Sequence, residues 1–162
     1  MKVYETKEIK NISLLGSKGA GKTTLAEAML YECGVIKRRG TVEAGNTVCD
    51  YFPVEKEYGY SVFSTVLYAE FLNKKLNVID CPGADDLVGN AITALNVTDT
   101  GVILIDGQYG VEVGTQNIFR TTEKLNKPVI FAVNQLDGEK ADFDNVIGQM
   151  KEIFGPRVVQ IQ

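Results

Sequence analysis

The sequence predicts an α/β domain with a mostly parallel sheet of about six strands, flanked by helices on both faces. Short apolar runs alternate with segments whose apolar residues recur at helical spacing, in the order β-α-β-β-α-β-α-β-α-β. A glycine-rich loop at residues 16–23 joins the first apolar run to the first helical segment. Polar residues directly follow later apolar runs, and ligands of such sheets bind at the carboxyl ends of the strands.

The bulk properties indicate one ordinary globular domain. The chain has 162 residues, of which 44% are hydrophobic and 23% charged. Its net charge of −4 provides no overall basic field, so we expect no direct DNA binding. No apolar run is long enough to cross a membrane, and the amino terminus lacks the apolar core of a signal peptide. Three cysteines without paired metal spacing indicate reduced thiols and a cytoplasmic location. The absence of histidine removes the commonest general base.

The elements follow from apolar spacing and from chain breakers. Strands are predicted at residues 10–15, 61–72, 76–79, 101–105, 128–133 and 158–161. Helices are predicted at residues 21–33, 85–95, 114–125 and 143–154, and a turn at residues 73–75. Residues 35–60 contain many breakers and little periodicity, which predicts either a functional loop or a disordered one.

Residues 16–23 match the phosphate-binding pattern G-x-x-x-x-G-K-[ST] at every fixed position. Glycines allow backbone N–H groups to turn inward around an oxyanion, and a helix that starts near Gly21 adds the positive end of its dipole. Lys22 can reach the β- and γ-phosphates, and the Thr23 hydroxyl can ligate Mg²⁺. A chance glycine-rich turn before a helix is the alternative interpretation. The nucleotide-binding residues predicted here are Gly16, Ser17, Lys18, Gly19, Ala20, Gly21, Lys22, Thr23 and Thr24.

Two further positions suit a metal ion and a terminal phosphate. Asp80 closes an apolar strand, where a carboxylate can hold Mg²⁺ opposite Thr23, and Gly83 can offer its N–H to a γ-phosphate. Ser61 could complete the metal shell when that phosphate is present, which would make the preceding loop a switch segment. The alternatives are an Asx-type turn at Asp80 and a strand-opening serine at Ser61.

A third polar group, residues 134–137, follows the strand predicted at 128–133. An ionised carboxylate only accepts hydrogen bonds, so Asp137 can take the N1–H and the exocyclic amine of guanine, whereas adenine has no donor at N1. Asn134 can bond the guanine edge and tie the loops together. A turn-forming Asn and Asp is the alternative, but the order of all these motifs favours guanine.

In this order, the motifs at residues 16–23, 57–62, 80–83 and 134–137 resemble those of translational GTPases, most closely the nucleotide-binding domain of elongation factor G. The similarity covers roughly residues 9–137. The resemblance implies a three-layer P-loop domain of the Ras-like type, GTP or GDP and Mg²⁺ as cofactors, and the ribosome as a partner. It also implies that residues 1–162 are the GTP-binding fragment of a larger protein, with the last strand and helix truncated.

The departures from that family concern chemistry. The histidine that orients the attacking water, next to Gly83, is replaced by Ala84. The acidic residue of the phosphate loop is Gly19, and the lysine that packs over the base is Gln135. Ser61 replaces a threonine and keeps its hydroxyl. Losing the water-positioning group should cost about 10²–10⁴ in hydrolysis rate.

We therefore expect a GTP-binding switch domain in which hydrolysis is slow or absent. A fully active, ribosome-stimulated GTPase that borrows a catalytic group is the main alternative. An ATP-using kinase or ATPase with a P-loop is the other.

Overall fold

A single five-stranded sheet organises the computed structural model, which describes residues 3–162. Its strands are β1 (Ile9–Leu15), β2 (Thr65–Phe71), β3 (Lys74–Asp80), β4 (Thr100–Asp106) and β5 (Val129–Asn134). They lie in the order β2-β3-β1-β4-β5, and every neighbouring pair is parallel except β2 with β3. The carboxyl ends of four strands therefore lie along one edge of the sheet, where a ligand site is expected.

Helices cover both faces of the sheet. They are α1 (Lys22–Glu32), α2 (Pro53–Tyr58), α3 (Val88–Val97), α4 (Val113–Lys124) and α5 (Phe143–Phe154), with short 3₁₀ turns at Thr6–Glu8 and Asp85–Leu87. Neighbouring residues on one strand point to opposite faces, so Leu14 joins the core beneath α1 while Leu15 joins the core beneath α3, α4 and α5. This three-layer α/β arrangement confirms the predicted fold class. Within residues 3–162, none of the helices combines the length and the apolar character that a membrane span requires.

The sixth predicted strand, at residues 158–161, does not form. The Val158 N–H donates to the Gly155 carbonyl, and the Val158 side chain packs on the core below α5. Val159 and Ile161 remain 74% and 87% exposed. Only one apolar side chain of this segment, Val158, is even partly buried, so pairing with the edge of β5 would bring little hydrophobic gain.

The loop at residues 35–60 also differs from the prediction, because it contains the short helix α2. Pro53 occupies the first turn of α2, and Gly59 ends it in the left-handed conformation (φ +67°). Proline is favoured in the first turn of a helix and glycine directly after its last turn, so both residues are compatible with a short helix here. In the sequence alone they indicate an irregular loop, because both residues are unfavourable inside a helix. The strand predicted from residue 61 begins only at Thr65, and the β2–β3 turn is formed by Leu72 and Asn73, both with positive φ.

The two-sided core generates a prediction for stability. Ile103 on β4 is fully buried, whereas Ile130 on the neighbouring β5 is 49% exposed. We expect Ile103→Ala to lower the free energy of unfolding by about 2–5 kcal/mol, because it removes buried methyl groups and leaves a cavity. Ile130→Ala, the matched control, should cost about 1 kcal/mol or less. Urea unfolding measures the free energy of unfolding of both variants. Equal decreases would contradict the burial of Ile103 between the sheet and its helices.

Candidate nucleotide-binding site

The glycine-rich loop lies between the end of β1 and the start of α1, at the edge where the parallel strands end. Gly16 and Gly21 adopt φ values of +132° and +90°, which side chains of L-residues rarely allow. A Cβ on Gly16 would overlap the Leu104 carbonyl on β4, and one on Gly21 would overlap the Asn134 side-chain amide. Glycine is therefore required at both positions, and it lets the loop pack closely on β4 and on the end of β5.

Lys22 supplies a positive charge inside the curve of this loop. Its side chain is buried, and Nζ donates to the carbonyls of Gly16 (2.9 Å) and Ser17 (2.8 Å). Burial lowers the pKa of the ammonium group, and the nearby Asp80 carboxylate partly opposes that shift. An oxyanion that enters the loop would meet a cation whose position is already set by the backbone.

A cavity of about 230 Å³ opens beside the loop. Segments that are distant in sequence line it: residues 18–19 and 21–24, residues 42–43, Asp50, residues 59–61, and Gly83. A Cβ on Gly83 would overlap Lys22 Nζ and lie 2.8 Å from the Lys18 backbone nitrogen. Gly83 is thus held directly against the phosphate loop, at a point where a side chain would not fit.

The three predicted metal ligands lie together, and two of them, Thr23 and Ser61, line this cavity. Thr23 Oγ1 donates to Asp80 Oδ2 at 2.8 Å and lies 3.1 Å from Ser61 Oγ. The other Asp80 oxygen, Oδ1, is buried and has no partner at full hydrogen-bond geometry among the described residues, although the Cys49 thiol lies beside this carboxylate. Burial raises the pKa of the Asp80 carboxyl to about 6, while the Thr23 hydroxyl and the Lys22 ammonium act in the opposite direction. An unpaired buried carboxylate oxygen is costly, and a bound cation would remove that cost.

Asp50 adds a second carboxylate that the sequence analysis did not assign to the site. It is 3% exposed and lines the cavity. Neither of its carboxylate oxygens has a partner at full hydrogen-bond geometry among residues 3–162, although the Ser61 and Thr47 hydroxyls lie close enough to stabilise the charged form. Burial raises the pKa of this carboxyl as well. No spacing rule singles out Asp50, because it lies in an irregular loop and approaches Asp80 only in the fold.

These oxygen donors fit Mg²⁺, a hard cation that favours a few carboxylate and hydroxyl ligands and keeps several waters. In the part of the chain that the structure describes, no group of three Asp, Glu, Cys or His side chains is placed to hold a metal by itself. Hydroxyl groups, waters and the oxygens of a bound anion would therefore complete the coordination shell.

The last residue of β5 and the first residue after it are both hydrogen-bonded to the phosphate loop. Asn134 Nδ2 donates to the Ala20 carbonyl (2.9 Å), and Gln135 Nε2 donates to the Gly19 carbonyl (2.6 Å). Asp137 is exposed, and its carboxylate forms no hydrogen bond or ion pair within residues 3–162. Its acceptor oxygens are available to a ligand beside the phosphate loop.

Glu55 fixes the position of the segment directly after Ser61, where the irregular loop before β2 ends. Its carboxylate is buried and accepts hydrogen bonds from the backbone N–H groups of Val62 and Phe63, both at 3.0 Å. The segment beside Ser61 is therefore held by α2, which the sequence analysis did not predict.

Glu27 fixes the beginning of the same loop in a comparable way. Its buried carboxylate accepts hydrogen bonds from the N–H groups of Gly40 (2.8 Å) and Val48. The spacing of Glu27 from Thr23 and Leu30 places it on the buried face of α1, so its burial could have been predicted. Its hydrogen-bond partners, the N–H groups of Gly40 and Val48, could not have been predicted, because they lie in an irregular loop.

Ala84 lies next to Gly83 but lines a different cavity. That cavity, about 130 Å³ in volume, lies between the segment after β3 and α4, and Val88 and Asn117 also line it. The larger cavity at the phosphate loop is not lined by Ala84. The methyl group of Ala84 offers no hydrogen bond, so the side chain at position 84 contributes no polar group to the cavity that it lines.

The other predicted residues are distributed around the same loop. Ser17 Oγ lies 3.1 Å from Thr115 Oγ1 on α4, a contact that the sequence analysis missed. Lys18 and Thr24 line the larger cavity. The structure thus brings the four predicted motifs to one edge of the sheet.

Comparison with known proteins gives a consistent result. Residues 7–160 match the family described as the elongation factor Tu GTP binding domain. The tetracycline resistance protein TetP of Clostridium perfringens is 36% identical over 156 residues, which cover 96% of this chain and 24% of that protein. The elongation factor G-like protein of Thermotoga maritima is 33% identical over 153 residues, covering 94% of this chain and 22% of that protein.

A third relative and a solved structure are also similar to this chain. The mitochondrial ribosome-releasing factor 2 of Candida dubliniensis is 37% identical over 150 residues, 93% of this chain and 19% of that protein. A crystal structure of a Thermus thermophilus protein superimposes with a TM-score of 0.88 at 34% identity, covering 92% of this chain and 22% of that one. The chain spans about a fifth to a quarter of the length of these relatives. It therefore belongs to the elongation factor Tu GTP-binding domain family, the G domains of translational GTPases.

Proposed function

We propose that this chain is the Mg²⁺-dependent guanine-nucleotide switch of a larger, elongation factor G-like translation factor, and that it hydrolyses GTP slowly or not at all by itself. The main support is the contact of Thr23 with both Asp80 and Ser61, beside the buried Lys22. Separate loops meet there in the way that a metal-bound triphosphate requires.

In this proposal the phosphate loop and Lys22 bind the phosphates, while Thr23, Asp80 and Ser61 hold the metal, with Asp50 facing it through water. Mg²⁺, when bound, neutralises charge on the phosphate oxygens. Ser61 can take its place only while residues 59–61 lie over the cavity, so the segment from residue 35 to residue 64 acts as the switch.

The base would lie against the loop after β5. The Asp137 carboxylate accepts hydrogen bonds from the N1–H and the exocyclic amine of guanine, and adenine cannot supply this pair of donors. Asn134 is committed to the phosphate loop through its side-chain nitrogen, so its oxygen remains for the base edge. Gln135 keeps a contact with the loop at Gly19 although it lacks the charge of the family's lysine.

This assignment makes a prediction for base specificity. Asp137→Asn should lower GDP affinity about a hundredfold, because two charge-assisted hydrogen bonds are lost. It should raise affinity for xanthosine diphosphate, whose carbonyl at C2 can accept from an asparagine amide. Titration of fluorescent mant-labelled GDP, xanthosine diphosphate and ADP measures these affinities.

Asp144→Asn is the matched control for Asp137→Asn, because it removes one exposed carboxylate from α5. It should leave all three affinities unchanged. A wild-type preference for ADP would favour the kinase or ATPase interpretation and would exclude the guanine assignment.

The proposal of slow hydrolysis rests on Ala84. Hydrolysis by this class of enzyme depends on positioning a water molecule and on electrostatic stabilisation, and a methyl group can do neither. The acidic neighbours Asp85 and Asp86 are exposed, and a carboxylate beside a γ-phosphate would be repelled. The domain would then act through GTP binding more than through GTP hydrolysis.

Restoring the imidazole tests this part of the proposal. Ala84→His should raise single-turnover hydrolysis of γ-labelled GTP in the presence of ribosomes by about a hundredfold, since it returns a water-positioning group. The neighbouring cavity of about 130 Å³ leaves room for a larger side chain. Ala84→Leu controls for filling that space and should bring no gain.

The rival function is a fully active GTPase that borrows a catalytic group from the ribosome. The names of the relatives, an elongation factor G-like protein and a ribosome-releasing factor, support a role on the ribosome for the full-length protein. If the unmodified protein turns over GTP on ribosomes as fast as Ala84→His does, the rival is correct.

A further inference from the structure

The phosphate loop carries a second lysine whose role the proposed function leaves open. Two lysines line the larger cavity. Lys22 is buried and bonded to two carbonyl groups, as described above. Lys18 is exposed, and within residues 3–162 it forms no ion pair and no side-chain hydrogen bond. Its Nζ instead lies over the ring of Tyr60, 3.6 Å from the ring centroid.

This cation–π contact joins the phosphate loop to the switch segment. Tyr60 is half-buried and directly precedes Ser61, the hydroxyl that lies 3.1 Å from Thr23 Oγ1. A lysine over an aromatic ring is attracted only weakly, and the contact leaves the N–H groups of the ammonium unsatisfied by any acceptor. The lysine is thus held in place while its donors remain available to an anion.

The position of Lys18 in the cavity indicates which part of a bound nucleotide its ammonium group would contact. Asn134 and Gln135 hold the loop at Ala20 and Gly19, which places the base on that side. Lys18 lines the cavity together with Ser61 and Gly83, and the Gly83 backbone packs against the Lys18 backbone nitrogen. In the proposed function, the terminal phosphate of a bound triphosphate would lie at this end of the cavity.

We propose that Lys18 is a positioning residue that discriminates GTP from GDP: its ammonium binds the terminal phosphate and, through the Tyr60 ring, holds Ser61 over the metal site. The inference rests on the proposed function. With GTP bound, Lys18 contacts both the phosphate and Tyr60, so binding of the triphosphate and closure of the switch segment reinforce each other. With GDP bound, the ammonium has no phosphate partner, and only the weak ring contact remains.

Lys18→Met tests the inference, because methionine keeps the length of the side chain and removes its charge. Binding of GDP and of the non-hydrolysable analogue GMPPNP is measured by calorimetry on the whole chain with Mg²⁺. We expect affinity for GMPPNP to fall about tenfold and affinity for GDP to fall less than about threefold. Lys18→Arg retains the charge and the ring contact, so its ratio of GMPPNP affinity to GDP affinity should equal that of the wild type.

Lys151→Met is the control for charge alone, since this exposed lysine lies in the last turn of α5 and lines neither cavity. Its affinities should equal those of the wild type. Urea unfolding of each variant checks that the fold is retained.

Tyr60 supplies an independent arm of the test. Tyr60→Leu should lower GMPPNP affinity about threefold, whereas Tyr60→Phe keeps the ring and should have no effect. In the Lys18→Met background, Tyr60→Leu should add nothing further, because the contact is already lost.

An equal loss of GDP and GMPPNP affinity in Lys18→Met, or no loss of either, would overturn the inference and leave the proposed function intact. Failure of the wild-type protein to bind any guanine nucleotide would instead remove the proposed function itself. The two failures are therefore distinguishable in one set of titrations.

Discussion

The hydrogen bond from the Thr23 hydroxyl to the Asp80 carboxylate joins the start of α1 to the end of β3, and the candidate site depends on it. The carboxylate lies in the interior, where an unpaired charge is unfavourable, so its position is strongly constrained. Parallel pairing of β1 with β3 brings these two residues together although 57 positions separate them in the sequence. Ser61 then approaches from a third segment, and the remaining free oxygen of Asp80 defines a place for a cation.

Much of this arrangement was predictable from the sequence, and the reason is topological. Alternating helices and apolar strands imply a parallel sheet, and a parallel sheet brings the ends of its strands to one edge. Polar residues at the carboxyl ends of strands, such as Asp80 and Asn134, can therefore be placed near the glycine-rich loop without any knowledge of their contacts. The helix at residues 143–154 was predicted to the residue because its apolar spacing is regular.

The rest depended on contacts that no local pattern encodes. Glu27 and Glu55 hold the switch segment through backbone N–H groups, and Asp50 reaches the cavity from an irregular loop. Residues 158–161 have the composition of a strand, but they bury too little apolar surface to pair with β5. A strand forms only where a neighbouring strand pairs with it and where one of its faces is buried. Neither condition can be read from the local sequence, because both depend on the tertiary fold.

The central claim is that four separate loops surround one magnesium-bound guanosine triphosphate, and a crystal structure of the protein with Mg²⁺ and GMPPNP tests it most directly. We expect phosphates in the cavity beside Lys22, a metal about 2.1 Å from the Thr23 hydroxyl and close to Asp80, and the guanine base on Asp137. A nucleotide bound elsewhere, or a base that does not contact Asp137, would contradict the account.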